Sequence, residues 1–213
     1  ARQLCPSIEL HVSTQSSTVN SEACKMWQDM GATRIVLARE LSLEEIKKIR
    51  ENIPSELELE AFVHGAMCVS YSGRCLLSNF FSGRDANRGK CAQPCRWEYF
   101  DKAQYAEIFE KKRPDEIVSL VQDERGTYMF SSKDMCMIEH IPELVKAGID
   151  SFKIEGRVKS AYYTAVTANA YKTELMRYMA DPEGYVFDED FLTELTSVSH
   201  REYGTGYVFD TPS

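Results

Sequence analysis

Short apolar runs that alternate with amphipathic helical stretches constrain this chain more than any other feature, because a strand followed by a helix returns to its sheet as a parallel, right-handed crossover. SIELHVSTQ (7–15) reads as a strand, and a helix over 20–30 follows it, with Ala23, Met26, Trp27 and Met30 at helical spacing and Gly31 as the stop. ATRIVLAR (32–39) is the next strand. SLEEIKKIREN then reads as a helix that opens on a capping box of Ser42 and Glu45 and closes before Pro54. LELEAFVH (57–64) is a third strand. Residues 116–132 predict two extended pieces around the turn residues Asp123–Gly126, and 133–148 a helix broken at Pro142 and ended by Gly148. IDSFKIEG (149–156) is a further strand, followed over 160–182 by a long amphipathic helix stopped by Pro182. This is an α/β pattern: 1–184 form either a doubly wound sheet or a (β/α) barrel, and 185–213 read as an irregular C-terminal extension.

The residues at the ends of these strands point to a site. Gln15, then Arg39 and Glu40, then His64, then Ser131, Ser132, Lys133 and Asp134, then Glu155 and Arg157 each stand where a strand ends. Barrels and open α/β sheets build their sites at the C-terminal ends of strands, so these polar groups are expected to share one. Within 57–64, strict alternation places Glu58, Glu60, Phe62 and His64 on one face. Glu60 and His64 are the candidate catalytic pair, for proton transfer or for anchoring nearby arginines. The alternative is that the glutamates are surface charges on an amphipathic edge strand.

The segment HGAMCVSYSGRCLLSNFFSGRDANRGKCAQPCRW (64–97) holds four of the seven cysteines. Its basic residues Arg74, Arg84, Arg88, Lys90 and Arg96 face the single acid Asp85, a net of +4 in a chain of net −8. A local basic loop on an acidic body suits an anionic substrate or a limited phosphate contact. The charge of the whole chain argues against a general nucleic-acid coat. The apolar runs are too short to span a bilayer, and ARQLCPSIEL lacks the build of a signal peptide, so the chain reads as cytoplasmic and apart from membranes. An odd number of cysteines in a reducing compartment makes a disulfide framework unexpected. Cys24 falls on the helix over 20–30 and reads as a buried small hydrophobe. Cys68 and Cys75 are six residues apart, Cys75 and Cys91 fifteen, and Cys91 and Cys95 three, with Cys136 far downstream. Four convergent thiolates suit zinc or an iron–sulfur cluster, and the lack of two close CxxC pairs favours the cluster. Neither GxSxG nor HExxH occurs.

ELHVSTQSSTVN, RIVLARELSLEEI, ELEAFVHGAMCVSYSGRCLLSNF, NRGKCAQPCRWEY, SSKDMC, SFKIEGRVKSAYYTAVTANAY and SHREYGTGY resemble successive blocks of the collagenase-like peptidases, peptidase family U32. The resemblance covers nearly the whole chain. It implies a TIM-barrel-like (β/α) fold of which this chain is the later part; the start at Ala1 fits a piece of a longer protein. It implies a 4Fe-4S cluster held by Cys68, Cys75, Cys91 and Cys136, with Cys95 as the fifth thiol that could substitute; structural zinc is the alternative. It further implies oxygen-independent hydroxylation of a tRNA wobble uridine, a ribosomal RNA cytidine or a ubiquinone precursor, with prephenate as hydroxyl source in the RNA branches. SYSGRCLLSNF and CRWEY are most like the tRNA branch. Arg39, Lys153 and Arg157 are then candidates to hold a small dicarboxylate, because guanidinium forks bind carboxylates two-pronged, with Glu155 beside them. The partners expected are tRNA or another RNA and a second copy of the chain as a homodimer. Proteolysis and a zinc-stapled binding module are the alternative activities.

Overall fold

The computed structural model describes residues 4–97, 99–101, 107–110, 113–119, 122–123, 126–127 and 133–209. In chain order the elements are β1 (His11–Val12), α1 (Ser21–Asp29), β2 (Arg34–Val36), α2 (Leu43–Glu51), β3 (Glu58–Ala66), α3 (Leu77–Ser82), β4 (Tyr99–Asp101), β5 (Glu107–Glu110), β6 (Arg113–Ser119), β7 (Gln122–Asp123), β8 (Gly126–Thr127), β9 (Asp134–Cys136), α4 (Ile141–Lys146), β10 (Ser151–Ile154), α5 (Ala161–Ala180), α6 (Glu189–Ser197) and β11 (Tyr203–Gly204). They fall into two compact units, one made of 1–73 with 133–213 and one of 74–132.

The first unit is built on a six-stranded mixed sheet with helices, as the strand–helix alternation requires. β3 is its hub. β2 runs parallel to it through Arg34↔Glu58, Ile35↔Leu59 and Val36↔Glu60, and β10 runs parallel through Ser151↔Glu60 to Ile154↔His64. Because β2 and β10 both pair at Glu60, they occupy opposite edges of β3. Beyond β2, β9 pairs antiparallel with the end of β3 through His64↔Cys136 and Ala66↔Asp134, and β11 adds to β9. The sheet is open, and it contains one antiparallel pair where the alternation led us to expect parallel pairing throughout.

Ile35, Leu37, Leu57, Leu59 and Val63 are buried with Ile46 and Ile49 of α2, Ile141 and Leu144 of α4, and Ala170, Tyr171 and Tyr178 of α5. The helices start where their caps allow. Asn20 Oδ1 accepts the Ala23 amide at 2.8 Å and Ser160 Oγ the Tyr163 amide at 3.1 Å. Ser42 and Glu45 close the expected capping box, an arrangement worth about 1 kcal/mol. Arg50 of α2 ties two strand starts together, donating to the Leu57 carbonyl at 3.0 Å and to Asp150 at 3.2 Å, while Asp150 accepts the Leu59 amide at 2.8 Å.

Three stretches depart from the sequence reading. Residues 134–136 form β9 instead of the first turn of a helix, because pairing with β3 and β11 satisfies their backbone, and helix α4 begins only at Ile141, with Pro142 in its first turn. The segment after 185 carries α6, which Asp188 caps at the Asp190 amide and whose Leu195 is fully buried, and the short strand β11. The strand at 7–15 shrinks to His11–Val12, with Thr14–Ser16 turning as a 3-10 helix.

In the second unit β4, β5 and β6 form an antiparallel sheet, and β7 pairs antiparallel with β8 through Gln122↔Thr127 and Asp123↔Gly126; residues 124 and 125, in the expected turn, lie outside the described residues. Residues 128–132, including Ser131 and Ser132, lie outside the described residues. No helix among the described residues is long and apolar enough to cross a membrane.

Gly65 shows how closely β3 and β10 approach. Its φ is +101°, and an added Cβ would lie 2.3 Å from the Glu155 carbonyl oxygen. Gly65→Ala is therefore expected to destabilise the chain by roughly 2–4 kcal/mol, from backbone strain and a forced shift of β10, measured by urea unfolding. A loss below about 0.5 kcal/mol would show that the approach is loose.

Candidate functional site

β3 has two buried faces, and one of them is polar. Glu60 is 8% exposed, and its carboxylate accepts Lys153 Nζ at 2.7 Å, Ser151 Oγ at 3.0 Å and Arg34 Nη1 at 3.4 Å. The register explains the gathering: Val36 of β2 and Ser151 of β10 flank Glu60, Lys153 stands opposite Phe62, and Arg34 lies two residues back on β2. Arg34 Nε also donates to Glu58 at 2.6 Å. Burial works to raise the Glu60 pKa, but the hydrogen bonds from Lys153 and Ser151 and the charges of Lys153 and Arg34 outweigh it, so the carboxyl titrates below its ordinary value.

Beside this network the Arg39 guanidinium lies over the Phe62 ring, 4.1 Å from its centroid, and the Lys153 ammonium is 5.6 Å from the same ring. Arg39 makes no ion pair among the described residues, and its buried Nε has no hydrogen-bond partner. Its backbone is held, because the Arg39 amide donates to Ser72 Oγ at 3.2 Å, and the Ser72 amide donates in turn to the Glu40 carboxylate. Thr14 Oγ1 donates to the Leu37 carbonyl at 3.0 Å and approaches Ser72 Oγ at 3.4 Å. The start of the cysteine segment is thus sewn to the ends of β1 and β2. The result is a guanidinium fixed on an aromatic ring without an ion pair among the described residues, with Lys153, already bonded to Glu60, beside the same ring.

His64 stands apart from this face. Between Phe62 and His64 the pairing with β10 shifts by one residue, which interrupts the alternation. His64 is 1% exposed and surrounded by the rings of Tyr163, Tyr171 and Tyr203 at 5.9, 5.4 and 5.3 Å. Its Nδ1 lies 3.4 Å from Tyr171 Oη, which donates to the Val63 carbonyl and accepts the Met137 amide, both at 2.8 Å. Its Nε2 is buried without a partner. Burial, with lesser contributions from Lys159 and His200, pushes the imidazole pKa down to about 4 against the opposing charge of Asp134. Its cross-strand neighbour Cys136 is pushed up to about 11 by burial, although the Ile138 amide and the Tyr171 hydroxyl oppose the rise. Asp134 is buried nearby, 3.7 Å from Lys159 Nζ and 3.2 Å from the Arg201 amide.

No disulfide joins any of the seven cysteines. Cys68 and Cys136 belong to the first unit, and Cys75, Cys91 and Cys95 to the second; all five are half-buried. The Gln93 amide donates to Cys91 Sγ at 3.3 Å. Among the described residues no three Cys, His, Asp or Glu side chains stand together as a metal-binding group.

Residues 1–213 match the family described as peptidase family U32. The chain belongs to peptidase family U32. This U32 chain is 41% identical over 99% of its length to tRNA hydroxylation protein P1 of Bacillus subtilis, covering 48% of that protein. It is 40% identical over 97% of its length to tRNA hydroxylation protein P of Escherichia coli, covering 52% of it. It is also 43% identical over 95% of its length to an uncharacterized protease of Methanocaldococcus jannaschii, covering 47% of it. The chain spans about half the length of the curated relatives it matches. No solved structure matches it.

Of the residues singled out in this U32 sequence, Arg39, Glu60 and Lys153 come together around Phe62. Among the described residues Glu60 and His64 share no hydrogen-bond partner: Glu60 bonds Lys153, Ser151 and Arg34, and His64 lies against Tyr171. Glu155 is bound to backbone: its carboxylate accepts the Arg157 amide at 2.8 Å and its own amide donates to the His64 carbonyl at 2.9 Å. Arg157 is exposed. Sequence reasoning missed Arg34 and Ser151, whose roles depend on strand register, and the tyrosine cage of His64; Tyr163, Thr167, Ala170, Tyr171, Glu174 and Tyr178, at helical spacing on α5, carry the signal that could have found it.

Because the folded Glu60 pKa is depressed, its ionisation stabilises the chain above the unfolded value of about 4.3 and that contribution is lost as pH falls through the folded pKa. Glu60→Gln is therefore expected to be less stable than the parent at neutral pH, with the gap closing as pH falls below about 4.3, in urea unfolding across pH. A gap independent of pH would show that Glu60 acts through shape alone.

Proposed function

We propose that this chain is the later, substrate-facing part of an oxygen-independent RNA hydroxylase that acts on tRNA and forms 5-hydroxyuridine at the wobble position. The observation that carries the reading is the identity of 40–41% along 97–99% of the chain with two proteins named for tRNA hydroxylation. A site for a small dicarboxylate such as prephenate is supported by the Arg39 guanidinium, which makes no ion pair among the described residues and would take a carboxylate two-pronged, by Lys153, which would donate to a second carboxylate while held by Glu60, and by Phe62, which would support the apolar part of the molecule. Glu60 has the role of holding Lys153 and Arg34 in place, not of moving a proton. In this reading the open sheet is part of a (β/α) barrel completed by the rest of the longer protein, and its work is done in the cytoplasm.

Cys68, Cys75, Cys91 and Cys136 would hold a 4Fe-4S cluster, with Cys95 as the substitute ligand. The donor chemistry fits, since none of these cysteines is in a disulfide and an amide donates to Cys91 Sγ, although no ligand group is assembled among the described residues. When bound, such a cluster supplies the one-electron chemistry that hydroxylation without oxygen needs.

The protease reading finds little support. A nucleophilic cysteine needs a thiolate beside an imidazolium, and His64, the histidine closest in sequence to Cys68, is buried with its pKa pushed down to about 4.

Deleting the gene is expected to remove 5-hydroxyuridine from tRNA by nucleoside mass spectrometry, with the full-length parent gene restoring it and an Arg39→Ala version failing to. Unchanged tRNA in the deletion strain would overturn the proposal. In anaerobically purified full-length protein, Cys68→Ser, Cys75→Ser, Cys91→Ser and Cys136→Ser are each expected to lower iron content; zinc without iron in the parent would replace the cluster with a structural staple.

A further inference from the structure

The second unit carries a basic surface with a projecting aromatic ring that neither the carboxylate seat nor the cysteine ligands account for. Helix α3 is built from LSNFFS, and its two phenylalanines divide their work. Phe81 turns inward, its ring 6.0 Å from that of Trp97, while Phe80 is 80% exposed and meets Phe81 edge-on at 5.1 Å. Phe80 is thus fixed at its base by an aromatic contact and open on its outer surface. Leu76, 77% exposed, stands one turn before it, and its carbonyl accepts the Phe80 amide at 2.9 Å.

The residues that follow fold back on the same helix. Asn79 Nδ2 donates to Asp85 Oδ1 at 2.7 Å, and the Asp85 carbonyl accepts the amides of Arg88 and Lys90 at 3.2 and 3.1 Å. Asp85, the segment's one acid, therefore anchors a tight loop beside Phe80 and presents Arg84, Arg88 and Lys90 from it. All three are exposed, as is Arg74 ahead of the helix. Arg88 lies 3.9 Å from Asp85, whereas Arg74, Arg84 and Lys90 make no ion pair among the described residues. In a chain of net −8, exposed cations that flank an exposed aromatic side chain in sequence, on a loop bonded to its helix, are complementary to a polyanion with exposed ring faces. Duplex nucleic acid offers phosphates but hides its base faces, whereas a single-stranded segment offers both.

We infer that α3 and its return loop bind single-stranded RNA, with Phe80 as the platform on which an unpaired base stacks and Arg74, Arg84 and Lys90 as the contacts to the flanking phosphates. This rests on the RNA-modification reading and adds to it the surface that holds the unpaired segment and the residue on which a base stacks.

The experiment is fluorescence anisotropy on the full-length protein with three labelled RNAs: a 17-nucleotide stem-loop with a seven-nucleotide loop, the loop sequence alone as a single strand, and a blunt duplex of the stem. Those lengths, about one anticodon arm, suffice because a single stacked base carries the readout. Phe80→Ala is expected to weaken the stem-loop and single strand about tenfold while leaving the duplex unchanged, and Phe80→Trp to bind within about twofold of the parent. Arg84→Glu combined with Lys90→Glu is expected to weaken all three RNAs and flatten the salt dependence. Parent protein that binds the stem-loop, with Phe80→Ala binding it equally well, would overturn the inference and leave the RNA reading standing. Equal loss on duplex and single strand would also overturn it, since a stacking residue has no reason to act on paired RNA. Loss of self-association or of a partner protein in Phe80→Ala, with RNA binding intact, would reassign the surface to protein. A parent that binds none of the three would overturn the RNA-modification reading together with this one.

Discussion

A carboxylate buried in the middle of a sheet stays ionised only if cations and hydrogen-bond donors are brought to it, and the arrangement around Glu60 depends on that requirement. Lys153 and Ser151 reach it from β10 and Arg34 from β2, so one side chain on the hub strand joins its neighbours on both edges. Such a network specifies register as well as charge. A slip of one residue would strand Glu60 among apolar side chains and leave Lys153 and Arg34 without their partner. The same network explains why Lys153 stands near Phe62 and why the remaining cation, Arg39, lies over that ring without an ion pair among the described residues.

The register shift at Val63 divides the end of β3 into two chemical environments. Before it, Glu60 and Phe62 belong to a charged face; after it, His64 is enclosed by tyrosines from α5 and β11 and by the cross-strand Cys136. This separates the cationic face from the thiol and imidazole groups. It also removes the proton-transfer pairing that simple alternation along LELEAFVH suggests.

The strand–helix order from residue 11 to 64 and from 149 to 180 was legible in the sequence because each element carries its own local signals: the Ser42–Glu45 capping box, the Asn20 and Ser160 caps, and apolar periodicity. Arg39 was legible as a group at the end of a strand. β9 was not, since three residues of a helix-like stretch became a strand through pairing that no local pattern records. β11 is two residues long and exists through β9 alone. The bulge that parts His64 from Glu60, and the contacts of Arg34 and Ser151 with Glu60, are properties of register, which a single strand's sequence does not carry.

The central claim is that Arg39, set on Phe62 beside Lys153, is a seat for a small dicarboxylate. Calorimetric titration of prephenate into the full-length protein tests it most directly. The account expects saturable binding at one site that is lost in Arg39→Ala and weakened in Arg39→Lys, which keeps the charge but not the fork. Binding in Arg39→Ala equal to that of the parent would contradict it.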